Sequence, residues 1–250
     1  MITLKSDQEL KLMREAGKIV ARALLEVKER VRPGISTVEL DRVAAKCIRK
    51  SGGLAAFKGY RGFPATICAS INEQVVHGIP SVRRLAEGDV ISVDVGVLKG
   101  GFFADAAMTF PVGKVSETAQ RLMEVTRIAL EKAIEQAQEG NYLGDISHAI
   151  QTYVEQHGFS VVREYVGHGI GKQMHEEPQV PNFGTPKTGP VLRTGMTLAI
   201  EPMVNAGTYD VQLLEDGWTV VTKDGSLSAH FEHTVAITDQ GPIVLTACSE

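Results

Sequence analysis

Five residues with metal-ligating side chains, Asp94, Asp105, His168, Glu201 and Glu232, stand beyond the first third of the sequence. Each lies in a short segment that reads as a strand or a strand edge, where a carboxylate needs a reason to be. Four carboxylates and one imidazole suit hard or borderline divalent ions such as Mn, Fe or Co. With two carboxylates free to bridge, such a set meets the need of a two-metal hydrolase, which makes a nucleophilic hydroxide at neutral pH.

The elements that must position these residues show in caps and periodicity. Ser6-Asp7-Gln8-Glu9 reads as a capping box, and apolar residues then recur at Leu10, Met13, Gly17, Val20, Leu24 and Val27. After Pro33-Gly34, Ser36-Thr37-Val38-Glu39 opens a second helix that stops at Gly52-Gly53. A strand and loop region runs through Cys68 to His77-Gly78-Ile79-Pro80. Next comes a hairpin: Val90 to Leu98, a turn at Lys99-Gly100, and Phe102 to Phe110. Ile91, Val93, Val95 and Val97 share one strand face, with Ser92, Asp94 and Gly96 on the other. That turn pairs Leu98 with Gly101 and sets Asp94 directly opposite Asp105. Their Cβ atoms would lie about 4.5–5.5 Å apart, and a cation between them removes the like-charge penalty.

The same order recurs. A long amphipathic helix is expected from about Ser116 to Gln138, then Gly140-Asn141, a helix over about Asp145 to His157, and Gly158. His168 follows in a glycine-rich loop, GHGIG, then a strand ending at Glu201, and a strand around Phe231 to Ile237 in which Glu232 shares a face with His230 and Thr234. Pro202 biases Glu201 toward an extended backbone. Gly88-Asp89-Val90 to Asp94 aligns with Gly195-Met196-Thr197 to Glu201 at an offset of 107 residues. The repeat predicts two structurally similar halves, about 1–113 and 114–250, fused in a single domain. His175, in MHEEP, does not form the H-E-x-x-H pattern of a thermolysin-like zinc helix.

Bulk properties exclude several classes. A chain of 250 residues, 43% hydrophobic and 22% charged, can bury one substantial core. No apolar run approaches the roughly 20 residues that span a bilayer, which argues against a membrane partner. MITLKSDQELKLMREAG lacks the apolar region of a secretory signal. A net charge of -4 argues against a DNA-binding surface. Cys47, Cys68 and Cys248 are too few and too far apart for a zinc ribbon or a disulfide framework, and a reducing cytoplasm is the simplest compartment.

The segments INEQVVHGIP, GDVISVDVGVLKGGFFADAAMTF, VGHGIGKQMHEEPQVPNFG, GMTLAIEPM and DGWTVVTKDGSLSAHFEHT together carry a resemblance. Over nearly its full length the chain resembles the type I methionine aminopeptidases. The absence of a zinc-binding extension before the first helix, and of a long insertion later, favours their short bacterial-type form. The resemblance implies the pita-bread fold: an α/β (α+β) arrangement of two pseudo-symmetric halves around a central antiparallel sheet, with helices outside. By matching position, it implies that Asp105 and Glu232 bridge two divalent metal ions, which would be Co, Mn, Fe or Zn. His168 and Glu201 would complete the first ion's ligands and Asp94 would hold the second. Glu201 would also manage the proton of the bridging water. His77 and His175 resemble the family's two active-site histidines outside the metal shell, which contact substrate and stabilise its oxyanion.

The implied activity is removal of the initiator methionine from nascent proteins by hydrolysis of the N-terminal Met-Xaa bond, Xaa being small. Tyr60, Phe63, Cys68, Met174 and Trp218, with Phe57 nearby, match the methionine pocket, where rings and sulfur suit a thioether. A monomer is implied. Lys11, Arg14, Lys18 and Arg22 line one side of the first helix, either as a solvated face or as a transient, salt-sensitive ribosome contact. Two competing readings are an X-Pro metallopeptidase of the same fold, whose large N-terminal domain is missing here, and a non-enzymatic binding protein, which would be expected to lose ligands. The departures from the family pattern are Phe57 in place of a cysteine, Met174 in place of a phenylalanine, and His230 in place of a glutamine. His230 could perturb the metal site or act as an outer hydrogen-bond partner, so His230→Gln is expected to keep activity and move its pH profile.

Overall fold

Both capping boxes form. In the computed structural model, which describes residues 1–247, α1 (Asp7–Lys28) begins where Ser6 N–H donates to the Glu9 carboxylate at 3.0 Å. At α2 (Thr37–Lys50), Ser36 N–H donates to Glu39 at 2.9 Å. Cys248 lies outside the described residues. The stripe of α1 is buried at Met13, Val20, Leu24 and Val27. Gly17 is required there, because a Cβ would sit 2.1 Å from the Leu245 carbonyl oxygen. On the outer side, Lys18 pairs with Glu15 and Arg22 with Glu26, while Arg14 donates to the Val244 carbonyl.

The chain continues through β1 (Leu54–Ala55), a 3-10 turn (Tyr60–Gly62), β2 (Ile67–Ile71), β3 (Gln74–Val76), β4 (Val90–Lys99) and β5 (Phe102–Pro111). Helices α3 (Glu117–Gln136) and α4 (Leu143–Gln156) follow, then β6 (Ser160–Val161), β7 (Gly167–Gly169), β8 (Glu176–Val180), β9 (Thr197–Ile200) and β10 (Met203–Asn205). The remainder is β11 (Val211–Leu213), β12 (Val220–Thr222), β13 (Ser228–His230), β14 (His233–Thr238) and β15 (Gly241–Val244). Among the described residues, no helix is long and apolar enough to cross a membrane.

Two antiparallel sheets frame the molecule. In one, β4 carries β1 and β2 along one edge and β5 along the other; the second runs β15-β14-β9-β7-β8. One apolar cluster packs α1 and α2 against β2, β4 and β5, including Ile91, Val93, Val95 and Val97. A second packs α3 and α4 against β9 and β14, including Leu198, Ile200, Val235 and Ile237.

The β4–β5 hairpin differs from expectation in its turn. Lys99 pairs with Phe102, leaving Gly100 and Gly101 as the two-residue loop with φ of 59° and 84°. A tight hairpin loop of this kind needs positive φ at both positions, which glycine supplies and Lys99 would resist. Asp94 therefore faces Ala107, and Asp105 faces Gly96. The slip preserves the strand period, so both acids stay on one face as diagonal rather than direct neighbours.

The two sheets meet where β5 runs beside residues 230–234. Ala107 and Glu232 exchange backbone hydrogen bonds of 3.3 and 2.9 Å. On either side a buried threonine replaces the direct bond. Thr109 Oγ1 accepts from His230 N–H at 2.9 Å and donates to the His230 carbonyl at 2.8 Å. Thr234 Oγ1 does the same for Asp105, at 3.0 and 2.8 Å. Thr109→Val keeps the shape and strands both His230 groups, so a loss of about 2–4 kcal/mol in a urea titration is expected; a loss under about 0.5 kcal/mol would show the clasp to be dispensable.

Candidate active site

The face of β4 opposite the core offers Ser92, Asp94 and Gly96. Gly96 carries no side chain because the Phe57 ring covers it: a Cβ there would fall 2.5 Å from a ring carbon. Asp105 projects from the same face of the hairpin. The other sheet supplies the remaining candidates. His168 is in strand β7 rather than a loop, since its neighbouring glycines allow β8 and β9 to approach closely: a Cβ on Gly167 would sit 2.4 Å from the Ala199 carbonyl. Glu201 stands one residue past β9. Glu232 does not share a strand face with His230, because the chain breaks at Phe231-Glu232 to leave one sheet for another. That break is what turns Glu232 toward Ala107 and Asp105.

All five candidate ligands line one pocket. Donor atoms of Asp105, His168 and Glu232 lie within 4.8 Å of one another. His168 Nε2 is 3.5 Å from Asp105 Oδ2 and 3.7 Å from Glu201 Oε1. Its Nδ1 lies 2.9 Å from the Gly169 carbonyl, a bond that places the proton on Nδ1 and leaves the Nε2 lone pair facing the carboxylates. Electrostatics make this cluster costly. Burial, then mutual repulsion, pushes Asp94, Glu201 and Glu232 well above the usual carboxylate range. Burial pushes Asp105 up to about 6, against the opposing hydrogen bond from Thr234. Asp94 Oδ1 is buried with no hydrogen-bond partner. Converging carboxylates, an orphaned buried oxygen and an oriented imidazole lone pair together fit a divalent metal centre.

Around this floor stand the predicted substrate contacts. His175 Nδ1 is 2.8 Å from the Tyr60 hydroxyl, and its ring lies 4.2 Å from that of His168, centroid to centroid. His77 has a left-handed backbone, φ 59°, at the end of β3, and packs edge-on to Tyr165 and Trp218. Burial lowers both histidines to about 4, so their rings are neutral near pH 7. Trp218 is set beside them by pairing of β12 with β3 and by Asp216, which accepts its backbone N–H at 2.9 Å. Phe63 meets Trp218 edge-on at 5.1 Å, and Tyr60, Cys68, Met174 and Phe57 complete the wall. Every residue singled out from the sequence as a ligand or substrate contact lines it; His230 does not. Three contributors were missed: Tyr165, Arg61 and the threonine clasp. Only Arg61 had a signal, lying between two glycines in GYRGF.

The profile of metallopeptidase family M24 matches residues 11–239. The chain belongs to metallopeptidase family M24. It is 56% identical to the methionine aminopeptidase of Clostridium perfringens, covering 98% of this chain and 99% of that one. It is 54% identical to methionine aminopeptidase 1 of Bacillus subtilis, with 98% and 99% covered. The crystal structure of the Thermotoga maritima methionine aminopeptidase superposes with a TM-score of 0.97 at 50% identity, covering 98% of this chain and 99% of that chain. The prolidase of Pyrococcus horikoshii superposes at 0.79 with 22% identity, which shows a shared fold. The M24 chain described here has the pita-bread fold.

His230 departs from expectation. Burial, with the His77 charge second, lowers it to about 3, and its Nε2 is buried without a hydrogen-bond partner, 3.5 Å from Glu201 Oε2. A divalent cation nearby would lower it further, so the ring stays neutral across the working range. His230→Gln is therefore expected to keep activity within about tenfold and to leave the pH profile of kcat/KM in place above pH 5; a moved profile would restore a titrating role.

The buried site also predicts how the metal-free protein responds to pH. His77, His168, His175, His230 and His233 fold with lowered pKa values of about 3 to 4, so they remove stability as pH falls below about 6.5. Asp94, Glu201 and Glu232 fold with raised values, hold protons that the unfolded chain releases, and remove stability as pH rises. In chelator, calorimetry should find Tm falling as pH rises above about 6.5, where the histidines no longer oppose the carboxylates, and saturating divalent cation should abolish that fall. A metal-free Tm that rises through pH 8 would contradict the raised carboxylates.

Proposed function

We propose that this chain removes the initiator methionine from nascent proteins, hydrolysing the N-terminal Met-Xaa bond where Xaa is small. In this reading Asp94, Asp105, His168, Glu201 and Glu232 would together hold two divalent ions. The observation that carries it is the placement of the carboxylate–imidazole cluster at the floor of a pocket walled by Cys68, Met174, Phe63 and Trp218. The pocket encloses about 160 Å³. Sites that take whole small molecules enclose about 300–1,000 Å³. One side chain therefore enters and the rest of the peptide stays outside. Rings and sulfur are the partners a thioether prefers.

Two divalent ions held there would supply a water of lowered pKa and polarise the scissile carbonyl. The side chains do the rest. Glu201 takes the proton of the attacking water on its carboxylate and passes it to the leaving nitrogen. Its burial favours holding that proton between the two transfers. Tyr60 O–H donates to His175 Nδ1, which keeps the neutral ring's one N–H proton on Nε2 as a donor to the developing oxyanion. His77, neutral and wedged by Tyr165 and Trp218, donates to the substrate from the opposite wall. The two ions are Co, Mn, Fe or Zn, because a carboxylate-rich set with a single imidazole accepts each of them.

The protein acts as a cytoplasmic monomer of one catalytic domain built from two similar halves, about 1–113 and 114–250. A transient ribosome contact accompanies a nascent-chain substrate, and exposed Lys11, in none of the ion pairs among the described residues, is the cation of the α1 stripe left to make it. The X-Pro reading has only the shared fold behind it: this chain covers 64% of the Pyrococcus horikoshii prolidase.

Metal-stripped protein given Mn or Co should release methionine from Met-Ala-Ser and leave Ala-Pro-Ala intact. Asp105→Asn should lower that release by more than the ~10–100-fold typical of outer-shell losses. Cleavage of only the proline peptide would move the chain to the X-Pro class, and no turnover despite bound metal would make it a binding protein.

A further inference from the structure

From Arg42 to Asn72 the sequence has six basic residues, Arg42, Lys46, Arg49, Lys50, Lys58 and Arg61, and no Asp or Glu. Arg61 is the only Lys or Arg of the described residues that lines the metal-site pocket. None of the ion pairs among the described residues includes it. Its backbone is left-handed, φ 48° and ψ 24°, between Gly59 and Gly62, which are left-handed too. A third glycine would hold that turn at less cost, so a side chain kept there against strain calls for a use.

The use follows from where the guanidinium stands. It lies 5.4 Å from the centroid of the Tyr60 ring, and the Tyr60 hydroxyl is bonded to His175. Arg61 is thus about one tyrosine away from the group that meets the scissile carbonyl. An extended peptide advances about 3.3 Å per residue. The first side chain is sunk in the pocket and the second is small, so the third is the first that can reach the rim. On the other side of His168 and His175 lies a larger groove of about 820 Å³, but both lysines that line it are already paired. Lys5 pairs with Glu176 at 2.6 Å and Lys172 with Glu9 at 3.0 Å. The four carboxylates of the floor would be matched in charge by two divalent ions. Arg61 is the unspent charge at the mouth.

Resting on the aminopeptidase reading, we propose that Arg61 is a specificity-determining residue that favours an acidic side chain at the third residue of the substrate. The test compares kcat/KM for methionine release by the Mn-loaded enzyme from Met-Ala-Asp-Ser-amide and its isostere Met-Ala-Asn-Ser-amide, whose blocked ends carry no competing carboxylate. The Asp peptide should be faster by about two- to fivefold, the size of a solvent-exposed ion pair, and the advantage should shrink in high salt. The ratio should fall to one in Arg61→Gln, drop below one in Arg61→Glu, and survive in part in Arg61→Lys. Because the ratio is read within each variant, a general loss of activity cancels. A ratio of one in the unaltered enzyme, or one that persists in Arg61→Gln, would overturn the proposal while leaving methionine release intact. No release from either peptide would instead overturn the aminopeptidase reading, and this inference with it.

Discussion

Four carboxylates face one another in a cleft largely closed to water, and the surrounding architecture has to support that arrangement. Two unit charges about 4 Å apart repel by roughly 4 kcal/mol at an effective dielectric near 20. The cluster of Asp94, Asp105, Glu201 and Glu232 contains several such encounters. Without cations, burial raises all four carboxylates above their ordinary range and mutual repulsion adds to it at Asp94, Glu201 and Glu232, so they hold protons more readily. With divalent ions the same burial becomes an advantage, since the field between ion and ligand is not diluted by solvent.

A cluster of this kind must be held from both sides by rigid backbone, and the molecule does so with antiparallel hairpins. Asp94 and Asp105 come from one sheet, and His168 and Glu201 from the other. The candidate ligand at the seam is Glu232, whose backbone bonds to Ala107 across it. Threonine hydroxyls on either side of that bond let the strands diverge without leaving buried amide or carbonyl groups unpaired. The divergence matters, because a continuous ladder would carry Glu232 along a flat strand instead of turning it toward Asp105. A local irregularity in the sheet thus becomes the device that closes the site.

Much of this was legible in the sequence, for identifiable reasons. Helix starts are encoded by neighbouring side chains, so Ser6 with Glu9 and Ser36 with Glu39 announced α1 and α2. The five candidate ligands, which the fold brings into one pocket, stood out because carboxylates in apolar strands are expensive. Hairpin register was not legible to the residue: whether Lys99-Gly100 or Gly100-Gly101 makes the turn depends on φ values that only the paired strands impose. The strand break at Phe231-Glu232 was hidden for a similar reason, since alternation in AHFEHTVAI is compatible with one strand and only tertiary pairing splits it. His230 was misjudged from its type. A histidine titrates near neutrality in water, but here burial holds it neutral.

That neutrality extends to the whole wall of imidazoles. His77, His168, His175 and His230 crowd around a centre designed to hold cations, where any protonated ring would repel the ions. Burial removes the conflict by making the charged form unfavourable, and the hydrogen bonds from the Tyr60 hydroxyl and to the Gly169 carbonyl then set which nitrogen of His175 and His168 carries the proton. The rings can serve as ligand and donor without adding positive charge. The positive charge the site does keep is displaced outward to Arg61, in solvent and on a strained turn, where it disturbs the ions least. Under the proposed function, apolar fit governs the first residue of the substrate, deep in the pocket, and electrostatics are left to act only at the rim.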